Sequence, residues 1–349
     1  MRYIGSKDRL LPFIQQALDD HAITGGTFCD AFSGTTVVAR HAKSRGYRVV
    51  ANDLLFFSYV LQRAYLCCNA YPAFAQLGVG GDRESPAGPL AAALCYLNAL
   101  PPVPGFVYTH YSPAGPAGRR YLSPVNAGRI DAIRGQIAAW EAAGQLEGEE
   151  PYVLLAALIE AVPFVSNISG TYGAFLKAWD PRAHKPLVLR PPRLLAGTQP
   201  HAAYQRDATT LVREIACDVL YLDPPYNSRP YASNYHLLET VARADAPAVY
   251  GKTGLRPYAA ERSAYNGAAA AAAALRTLVA QARCTHLLLS YNSEGLIPES
   301  EILAILAGRG TPEVRRRPYR RFRSDTDARR RYAPQHEVSE NLYYVRCET

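Results

Sequence analysis

The stretch Asp218–Tyr226, with the sequence DVLYLDPPY, constrains the fold of this 349-residue chain more than any other segment. Val219–Leu222 is a short continuous apolar run, which is typical of a parallel strand buried on both faces. Two prolines follow at once, and the strand must end there because neither can donate a hydrogen bond to a neighbouring strand. Asp223 and Tyr226 are therefore expected at the carboxyl end of a strand, where open α/β sheets bind their ligands.

The segment Asp223–Tyr226 combines a carboxylate, a rigid turn of backbone carbonyls and an aromatic ring. This set suits an amine on a flat heteroaromatic ring, whose lone pair is delocalised and therefore reacts poorly. A carboxylate and a carbonyl can accept hydrogen bonds from both N–H groups, while Tyr226 stacks on the ring. With an ordinary pKa of about 4, Asp223 is too weak a base to deprotonate the amine before attack. The alternative is a proline turn that carries a surface acid and tyrosine without chemistry.

Residues 27–69 predict a strand, a tight turn, a helix, a second strand and a second helix, which is half of a doubly wound sheet. The first strand runs into the turn Ser33–Thr36, and the second ends in Asp53. An acid at that position suits a ribose diol, and Gly34 permits a ligand to approach the backbone closely. The G-x-G-x-x-G fingerprint of dinucleotide enzymes is absent from the sequence, and many α/β proteins share the pattern through packing alone.

The middle of the chain differs in composition from the segments on either side, which predicts an inserted region over residues 70–197. Proline and glycine punctuate residues 71–123, and helical periodicity returns at Ala127–Ala143 and Tyr152–Val165. The sheet is expected to resume near Tyr204. The later segments predict a helix from about Asn234, helices over Ala259–Arg283 and Ile302–Leu306, and strands over His286–Tyr291 and Val338–Val345.

Net charge indicates a polyanionic partner. The chain carries 38 lysines and arginines against 30 acids, a net charge of +8. Arginines gather late, at Arg315–Arg317, Arg320 and Arg321. A polyanion is the natural partner for such a basic surface, although a solvated charge run in a basic protein would look the same.

Cysteine content and hydropathy argue against a disulfide-bonded, secreted or membrane-spanning protein. The seven cysteines are odd in number and show no C-x-x-C spacing, so we expect reduced thiols and no structural metal. The most apolar stretch, Val153–Val165, contains Glu160 and Pro163 and is too short to cross a membrane. The N-terminus lacks the apolar core of a signal peptide, so a cytoplasmic protein is expected.

Three motifs in this order resemble those of the alpha-group DNA adenine methyltransferases, the class that includes the Dam enzymes. Tyr3–Lys7 is similar to the N-terminal aromatic-x-G-x-K motif of that group. Phe32–Thr36 is similar to its F-x-G-x-G turn, which binds S-adenosylmethionine, and Asp223–Tyr226 is similar to its DPPY signature. One departure is Thr36, which stands where a second glycine is usual.

The resemblance implies a doubly wound, Rossmann-like α/β methyltransferase sheet with an inserted, mainly helical recognition domain. Residues 1–69 and 198–349 would form the catalytic domain that binds S-adenosylmethionine, and residues 70–197 would recognise the DNA target. The implied reaction transfers a methyl group from S-adenosylmethionine to the exocyclic amine of adenine in double-stranded DNA, with the target base flipped out. The enzyme would act either beside a restriction endonuclease for the same site or without one.

The resemblance also assigns roles to individual residues. Those expected to hold the target adenine are Asp223, Pro224, Pro225 and Tyr226. Those expected at the cofactor are Tyr3, Lys7, Asp30, Phe32, Ser33, Gly34, Asp53 and Asp207. Among them Asp30 and Gly34 would lie near the methionine part, Asp53 would bind the ribose hydroxyls, and Asp207 would lie near the adenine. Those expected to contact DNA are Lys177, Arg315, Arg316, Arg317, Arg320 and Arg321, the arginines from loops that hold phosphates.

Two other functions stay open on the sequence. An enzyme of the same architecture could take another planar amine, either cytosine in DNA or an RNA base, although cytosine enzymes of this kind usually carry serine where Asp223 stands. A protein of a different class would bind nucleic acid without catalysis and keep a relic of the cofactor fold. The intact segment Asp223–Tyr226 argues against a relic.

Overall fold

The strand that precedes Asp223 lies inside a seven-stranded sheet in a computed structural model of the chain, which describes residues 7–80, 85, 87–319 and 338–348. The strands are β1 (Thr27–Asp30), β2 (Arg48–Asn52), β3 (Ala202–Tyr204), β4 (Ala216–Leu222), β5 (Arg283–Asn292), β6 (Glu313–Tyr319) and β7 (Val338–Arg346). Their order is β3-β2-β1-β4-β5-β7-β6. Strands β1–β5 pair in parallel, and β7 is antiparallel to both of its neighbours. The predicted Rossmann-like, mainly parallel sheet is confirmed.

The order in which the chain adds strands to the sheet reverses between β1 and β4. From β1 the chain continues outward to β2 and β3, and it then returns to β4 on the other side of β1. Such a reversal is the topological switch point, where α/β sheets bind ligands outside the carboxyl ends of their strands. The last four residues of β4, Val219–Leu222, are buried, as expected for a central parallel strand. The sheet therefore presents Asp30 and Asp223 side by side at its binding edge.

Helices precede and follow the strands along the chain. Among the described residues the α-helices are α1 (Leu11–Asp20), α2 (Val37–Ser44), α3 (Phe56–Gln62), α4 (Gly88–Ala99), α5 (Phe106–Tyr111), α6 (Pro124–Ala142), α7 (Glu150–Ala161), α8 (Ala208–Glu214), α9 (Tyr231–Asn234), α10 (His236–Arg243), α11 (Ala268–Gln281) and α12 (Glu299–Leu306). None of these described helices is long and apolar enough to cross a membrane. On one face of the sheet, leucines of β4 and β5 pack against α11 and α12 in a buried apolar core.

The chain divides into two compact units. The sheet unit comprises Ser6–Leu54, His201–Tyr231 and Ala260–Thr349, and it contains all seven strands. Within the part of the chain that the structure describes, the helical unit comprises Leu55–Pro200 and Ala232–Ala259, and it contains α3–α7 and α10. The functions assigned to the predicted domains, catalysis and target recognition, stay predictions.

Several elements differ from those that the sequence predicts. Residues 71–123 contain the helices α4 and α5 despite their proline and glycine content. The alanine-rich helix α11 begins at Ala268, because Ser263 caps a separate 3₁₀ turn and Gly267 then has extended backbone angles. The arginine run Arg315–Arg317 lies on strand β6 and not in a loop, which corrects that prediction. Strand β6 is the outermost strand of the sheet, where long charged side chains can reach solvent from either face.

Candidate active site

The turn Asp223–Tyr226 follows β4 directly and is held by Tyr291 of β5 and by the loop that follows β5. The backbone N–H of Leu296 donates a hydrogen bond of 3.1 Å to the carbonyl of Tyr226. The rings of Tyr226 and Tyr291 meet edge to face, with their centroids 6.4 Å apart. Tyr226 stays partly exposed, so its ring remains accessible to a planar ligand at the switch point.

Lys7 lies at the centre of an ion cluster with two carboxylates. Its Nζ contacts Glu340 and lies 3.2 Å from Oδ1 of Asp223. The hydroxyl of Ser290 donates a hydrogen bond of 3.0 Å to the same oxygen of Glu340. Nζ also lies 5.9 Å from the ring centroid of Tyr226, within the range of a cation–π interaction. Lys7 and Glu340 are buried, whereas 18% of the Asp223 side chain is exposed, so Asp223 is the carboxylate that a ligand can reach.

The cluster changes the acid strength of its members. Burial raises the pKa of Asp223 to about 6, since the opposing effect of Lys7 is smaller and Glu340 adds to the increase. This value corrects the expectation of an ordinary pKa near 4, although it is still too low for removal of a proton from a neutral aromatic amine. Burial would lower the pKa of Lys7, but Asp223 and Glu340 outweigh it and raise that pKa above the ordinary value. Lys7 therefore carries its positive charge throughout the physiological range.

The turn after β1 is held by the end of β2. The backbone N–H of Ser33 donates to the carbonyl of Asn52 at 2.8 Å, and the N–H of Gly34 donates to Oδ2 of Asp53 at 2.9 Å. Gly34 has a φ of +49°, a left-handed angle that glycine adopts without a steric penalty. Asp53, predicted to bind a ribose, thus also fixes the turn that is predicted to bind the cofactor.

Thr36, the departure from the family pattern, has a left-handed backbone conformation, which glycine adopts without a steric penalty. Its φ is +64°, which is costly for a β-branched residue. Its hydroxyl is buried and has no hydrogen-bond partner among the described residues. The chain thus accepts backbone strain at this position.

Asp30 is a buried acid at the same edge of the sheet. It is 1% exposed, and its Oδ1 has no hydrogen-bond partner within the described part of the chain. Burial raises the pKa of Asp30 well above its ordinary value, and the carboxylates of Asp223 and Asp53 add to the increase. A buried carboxylate among other carboxylates is stabilised by a positive charge, so this site fits a cationic ligand.

Asp207 caps a helix at the edge of the same unit. Asp207 is exposed, and it is the N-terminal cap of α8. Its Oδ1 accepts a hydrogen bond of 3.1 Å from the backbone N–H of Thr210. Burial raises the pKa of Tyr265 above its ordinary value, and the carboxylate of Asp207 adds to the increase. The ring of Tyr265 meets Phe32 edge to face at 5.3 Å. The sequence pattern did not point to Tyr265, which packs against the predicted cofactor residue Phe32.

The predicted DNA-binding residues fall in both units. Lys177 is exposed in the helical unit. On β6, Arg315 pairs with Asp20 and Arg316 pairs with Glu299, while Nη1 of Arg317 donates to the carbonyl of Arg9 at 3.2 Å. Tyr3, Arg320 and Arg321 lie outside the described residues.

Glu340 is the main site residue that the sequence pattern missed. It lies on β7, opposite Asn292 of β5 and Arg317 of β6. The available signal was a single acid in the final strand, VSENLYYVR. That signal does not identify a partner, because Lys7 is 333 positions away in the sequence.

Comparison with known proteins identifies relatives along nearly the whole chain. The chain is 40% identical over 354 residues to "Modification methylase StsI" of Streptococcus sanguinis, and 41% identical over 352 residues to "Type II methyltransferase M.FokI" of Planomicrobium okeanokoites. Each match covers 99% of this chain but 52% of the relative, so the chain spans about half the length of these two proteins. "Type II methyltransferase M.NlaIII" of Neisseria lactamica is 37% identical over 337 residues, with 95% of both chains covered.

A family model gives the same result as these relatives and agrees with the resemblance drawn from the three motifs. The model for D12 class N6 adenine-specific DNA methyltransferase matches residues 3–305. The match includes the turn after β1, every helix of the helical unit and the segment Asp223–Tyr226. The chain therefore belongs to the family of D12 class N6 adenine-specific DNA methyltransferases.

Proposed function

We propose that this chain transfers a methyl group from S-adenosylmethionine to N6 of adenine in double-stranded DNA. The observation that carries the proposal is the position of Asp223, partly exposed at the switch point and held by the buried cation of Lys7. Membership of the D12 family supports the same reaction. A cytoplasmic location fits an enzyme that acts on DNA.

The residues of the turn prepare the amine for attack. Asp223 and the carbonyl of Pro224 accept hydrogen bonds from the two N–H groups of the adenine amine, so its lone pair becomes localised on nitrogen. When bound, S-adenosylmethionine supplies a methyl group that its sulfonium has activated. The amine nitrogen held by Asp223 and Pro224 would take this methyl group, and the electron pair of the broken C–S bond would stay on the cofactor sulfur. The methylated nitrogen is then positively charged and acidic, and Asp223 is placed to accept its proton.

Lys7 favours the ionised state of Asp223 that this reaction needs, whereas the charge of Glu340 opposes it and Glu340 acts by holding Lys7 in place. The ammonium of Lys7 holds Oδ1 of Asp223 in place and favours its ionised form. Glu340 in turn fixes the ammonium and balances its charge. Predicted contacts of Lys7 with the cofactor would come in addition to this role.

The edge of the sheet suits the positive charges of S-adenosylmethionine. Its methionine ammonium would satisfy the buried Oδ1 of Asp30, which has no partner among the described residues. The turn at Gly34 would pass close to its methionine part, Asp53 would bind its ribose, and Phe32 and Asp207 would border its adenine. The backbone N–H of Ser33 already donates a hydrogen bond to the carbonyl of Asn52 on β2, so Ser33 helps to hold the turn at the predicted cofactor site.

The substrate is double-stranded DNA, from which the target adenine must leave the helix to reach Asp223. Stacking on Tyr226 offsets part of the cost of unpairing, by about 1–3 kcal/mol. Because two of the relatives are named as Type II methyltransferases and one as a modification methylase, we infer that a restriction endonuclease for the same site accompanies this chain.

Sequencing that detects modified bases tests the proposal directly. Genomic DNA would be compared between hosts that express the parent chain and hosts that express Asp223→Asn, which keeps the shape of the side chain. We expect one sequence motif to carry N6-methyladenine in the first host and not in the second. Modified cytosine, modified RNA alone, or the same pattern in both hosts would overturn the proposal. Thermal melting of both proteins shows that the variant is folded.

A further inference from the structure

The helical unit contains a cavity of about 460 Å³ whose polar lining is basic. Its charged lining residues are Arg119, Arg120, Lys177 and Lys252, and the ring of Phe175 forms an apolar part of the wall. None of the described residues that line this basic cavity is acidic. The three segments that form it come from separate parts of the chain, so its charge is not a feature of one local run.

Arg119 forms a rigid part of the cavity. It is 7% exposed, and its guanidinium donates hydrogen bonds to the carbonyls of His110, Gly251 and Lys252 at 2.9, 3.0 and 3.1 Å. Carbonyl oxygens satisfy the donors without cancelling the charge. Gly254 permits this close packing, because a Cβ there would lie 2.9 Å from Nε of Arg119. The positive charge is therefore fixed before any ligand arrives.

The other three cations are exposed around it. Nη1 of Arg120 donates a hydrogen bond of 2.7 Å to the carbonyl of Lys177, which holds these two residues side by side. Arg120, Lys177 and Lys252 are all exposed, and within the described part of the chain none of the three forms an ion pair. Four like charges around one concave surface repel each other, and an anion relieves that repulsion.

We propose that the basic cavity binds a phosphodiester group of the DNA backbone, with Lys177 and Lys252 in direct contact. The proposal rests on the proposed function, since it names how the same DNA is held. A phosphodiester suits the site because Lys and Arg are common donors to phosphate oxygens in DNA complexes, and the half-buried ring of Phe175 offers an apolar surface to the adjoining sugar. Such a contact positions the duplex and reads no sequence.

The test uses Lys177→Gln, Lys252→Gln and the double variant, with Lys185→Gln as the matched control. Lys185 is an exposed lysine of the same unit that does not line the cavity. Affinity for a duplex with the target site and for a scrambled duplex would be measured between about 50 and 200 mM salt. We expect each cavity variant to bind both duplexes more weakly than the parent does, and the loss of affinity should be the same for the target duplex and the scrambled duplex. The magnitude of the slope of log affinity against log salt should fall by about 0.9 in the double variant, because one phosphate contact is removed, and by less in each single variant.

Three results would overturn the proposal. The double variant could bind both duplexes with the affinity and salt slope of Lys185→Gln, which would exclude a phosphate contact. It could lose affinity for the target duplex alone, which would indicate base recognition. Inorganic phosphate could raise the melting temperature of the parent but not of the double variant while DNA affinity stays equal, which would indicate a site for a small anion only.

The experiment separates this proposal from the proposed function. The duplex titrations use Asp223→Asn as a second background, in which methyl transfer is expected to be absent and the cavity is unchanged. A salt slope that depends on Lys177 and Lys252 in this background supports the cavity regardless of methylation. Absence of methylated adenine in the parent would contradict the proposed function and leave the salt slope to decide on the cavity.

Discussion

At the scale of single residues, the cluster of Lys7, Asp223 and Glu340 sets the pH range in which the turn can act. Asp223 accepts hydrogen bonds from an amine only when it is ionised, so kcat/KM should rise with pH through a midpoint of about 6. The same shift affects stability. Because the folded state holds this proton more tightly than the unfolded state, the contribution of Asp223 to stability is largest below about pH 4 and decreases until about pH 6.

The two partners of Asp223 should move this midpoint in opposite directions. Glu340→Gln removes a negative charge that raises the pKa of Asp223, so the midpoint should shift to lower pH. Lys7→Met removes a positive charge that lowers this pKa, so the midpoint should shift to higher pH. The measurement is the dependence of kcat/KM on pH between about 5 and 8, where one pKa unit corresponds to about 1.4 kcal/mol. Shifts of the same sign in both variants would show that the cluster does not control Asp223.

Thr36 gives a second prediction at the residue scale. Thr36 has a φ of +64°, and a residue with a Cβ is less stable than glycine in this left-handed conformation by about 1–2 kcal/mol. Glycine also has more freedom in the unfolded chain, which costs about 0.5–1 kcal/mol of folded stability. Thr36→Gly should therefore be more stable than Thr36→Ala by roughly 1 kcal/mol, the reverse of the order at a helical position. Chemical denaturation of the two variants measures the difference. A more stable alanine variant would contradict the left-handed conformation.

At the scale of elements, strand β6 carries the arginine run on the edge of the sheet. Arg315 and Arg316 already pair with Asp20 and Glu299, but surface pairs of this kind contribute only about 0–1 kcal/mol, so DNA phosphates can compete for the arginines. This distinguishes β6 from the basic cavity, where Lys177 and Lys252 form no ion pair within the described residues. Contacts from β6 should consequently add less to affinity than their number suggests.

The prediction for β6 concerns Arg315, Arg316 and Arg317 together. Their replacement by glutamine should weaken binding to all duplexes alike and lower the salt slope by no more than about 0.9 per arginine. The control is Arg276→Gln, since Arg276 is also an exposed arginine of the sheet unit in an ion pair, with Glu301. Loss of discrimination between duplexes with an intact salt slope would instead indicate base contacts from this strand.

At the scale of the whole molecule, a ligand that binds only the folded chain must stabilise it. S-adenosylhomocysteine, the product form of the cofactor, should raise the melting temperature, with a gain of about 2.7 kcal/mol at a concentration 100 times its Kd. Asp53→Ala should reduce this gain, because it removes the oxygen that accepts the N–H of Gly34. Asp53→Asn retains an oxygen there and should keep the turn while it loses charge at the predicted ribose site.

Calorimetric titration and thermal melting of parent, Asp53→Ala and Asp53→Asn with this ligand measure the effect. Affinity should decrease from the parent to the asparagine variant and again to the alanine variant. Equal affinity in all three proteins would show that neither the turn at Gly34 nor the acid after β2 belongs to the cofactor site. Equal duplex affinity in the three proteins would place the defect at the cofactor and not at DNA.

The sequence by itself determined the elements whose signals are local. The apolar run Val219–Leu222 with its two prolines predicts a buried strand that ends at Asp223, and the structure has that strand. The acid after β2 and the turn at Ser33–Thr36 are also local patterns, and together with the order of motifs they identify the family. These predictions succeed because hydrophobic period, proline geometry and glycine conformation act over a few residues.

Only the tertiary structure decided which distant groups meet. Lys7 and Glu340 are 333 positions apart and become partners only because β7 inserts antiparallel between β5 and β6. The pKa of Asp223 depends on that meeting and on burial, and neither can be read from the letters DPPY. The basic cavity has the same origin, since Arg119, Lys177 and Lys252 come together only when three separated segments pack. Burial and electrostatic fields depend on how the whole chain folds. For that reason the local sequence pattern could predict the reaction, but not the pH range in which Asp223 acts or all the residues of the site.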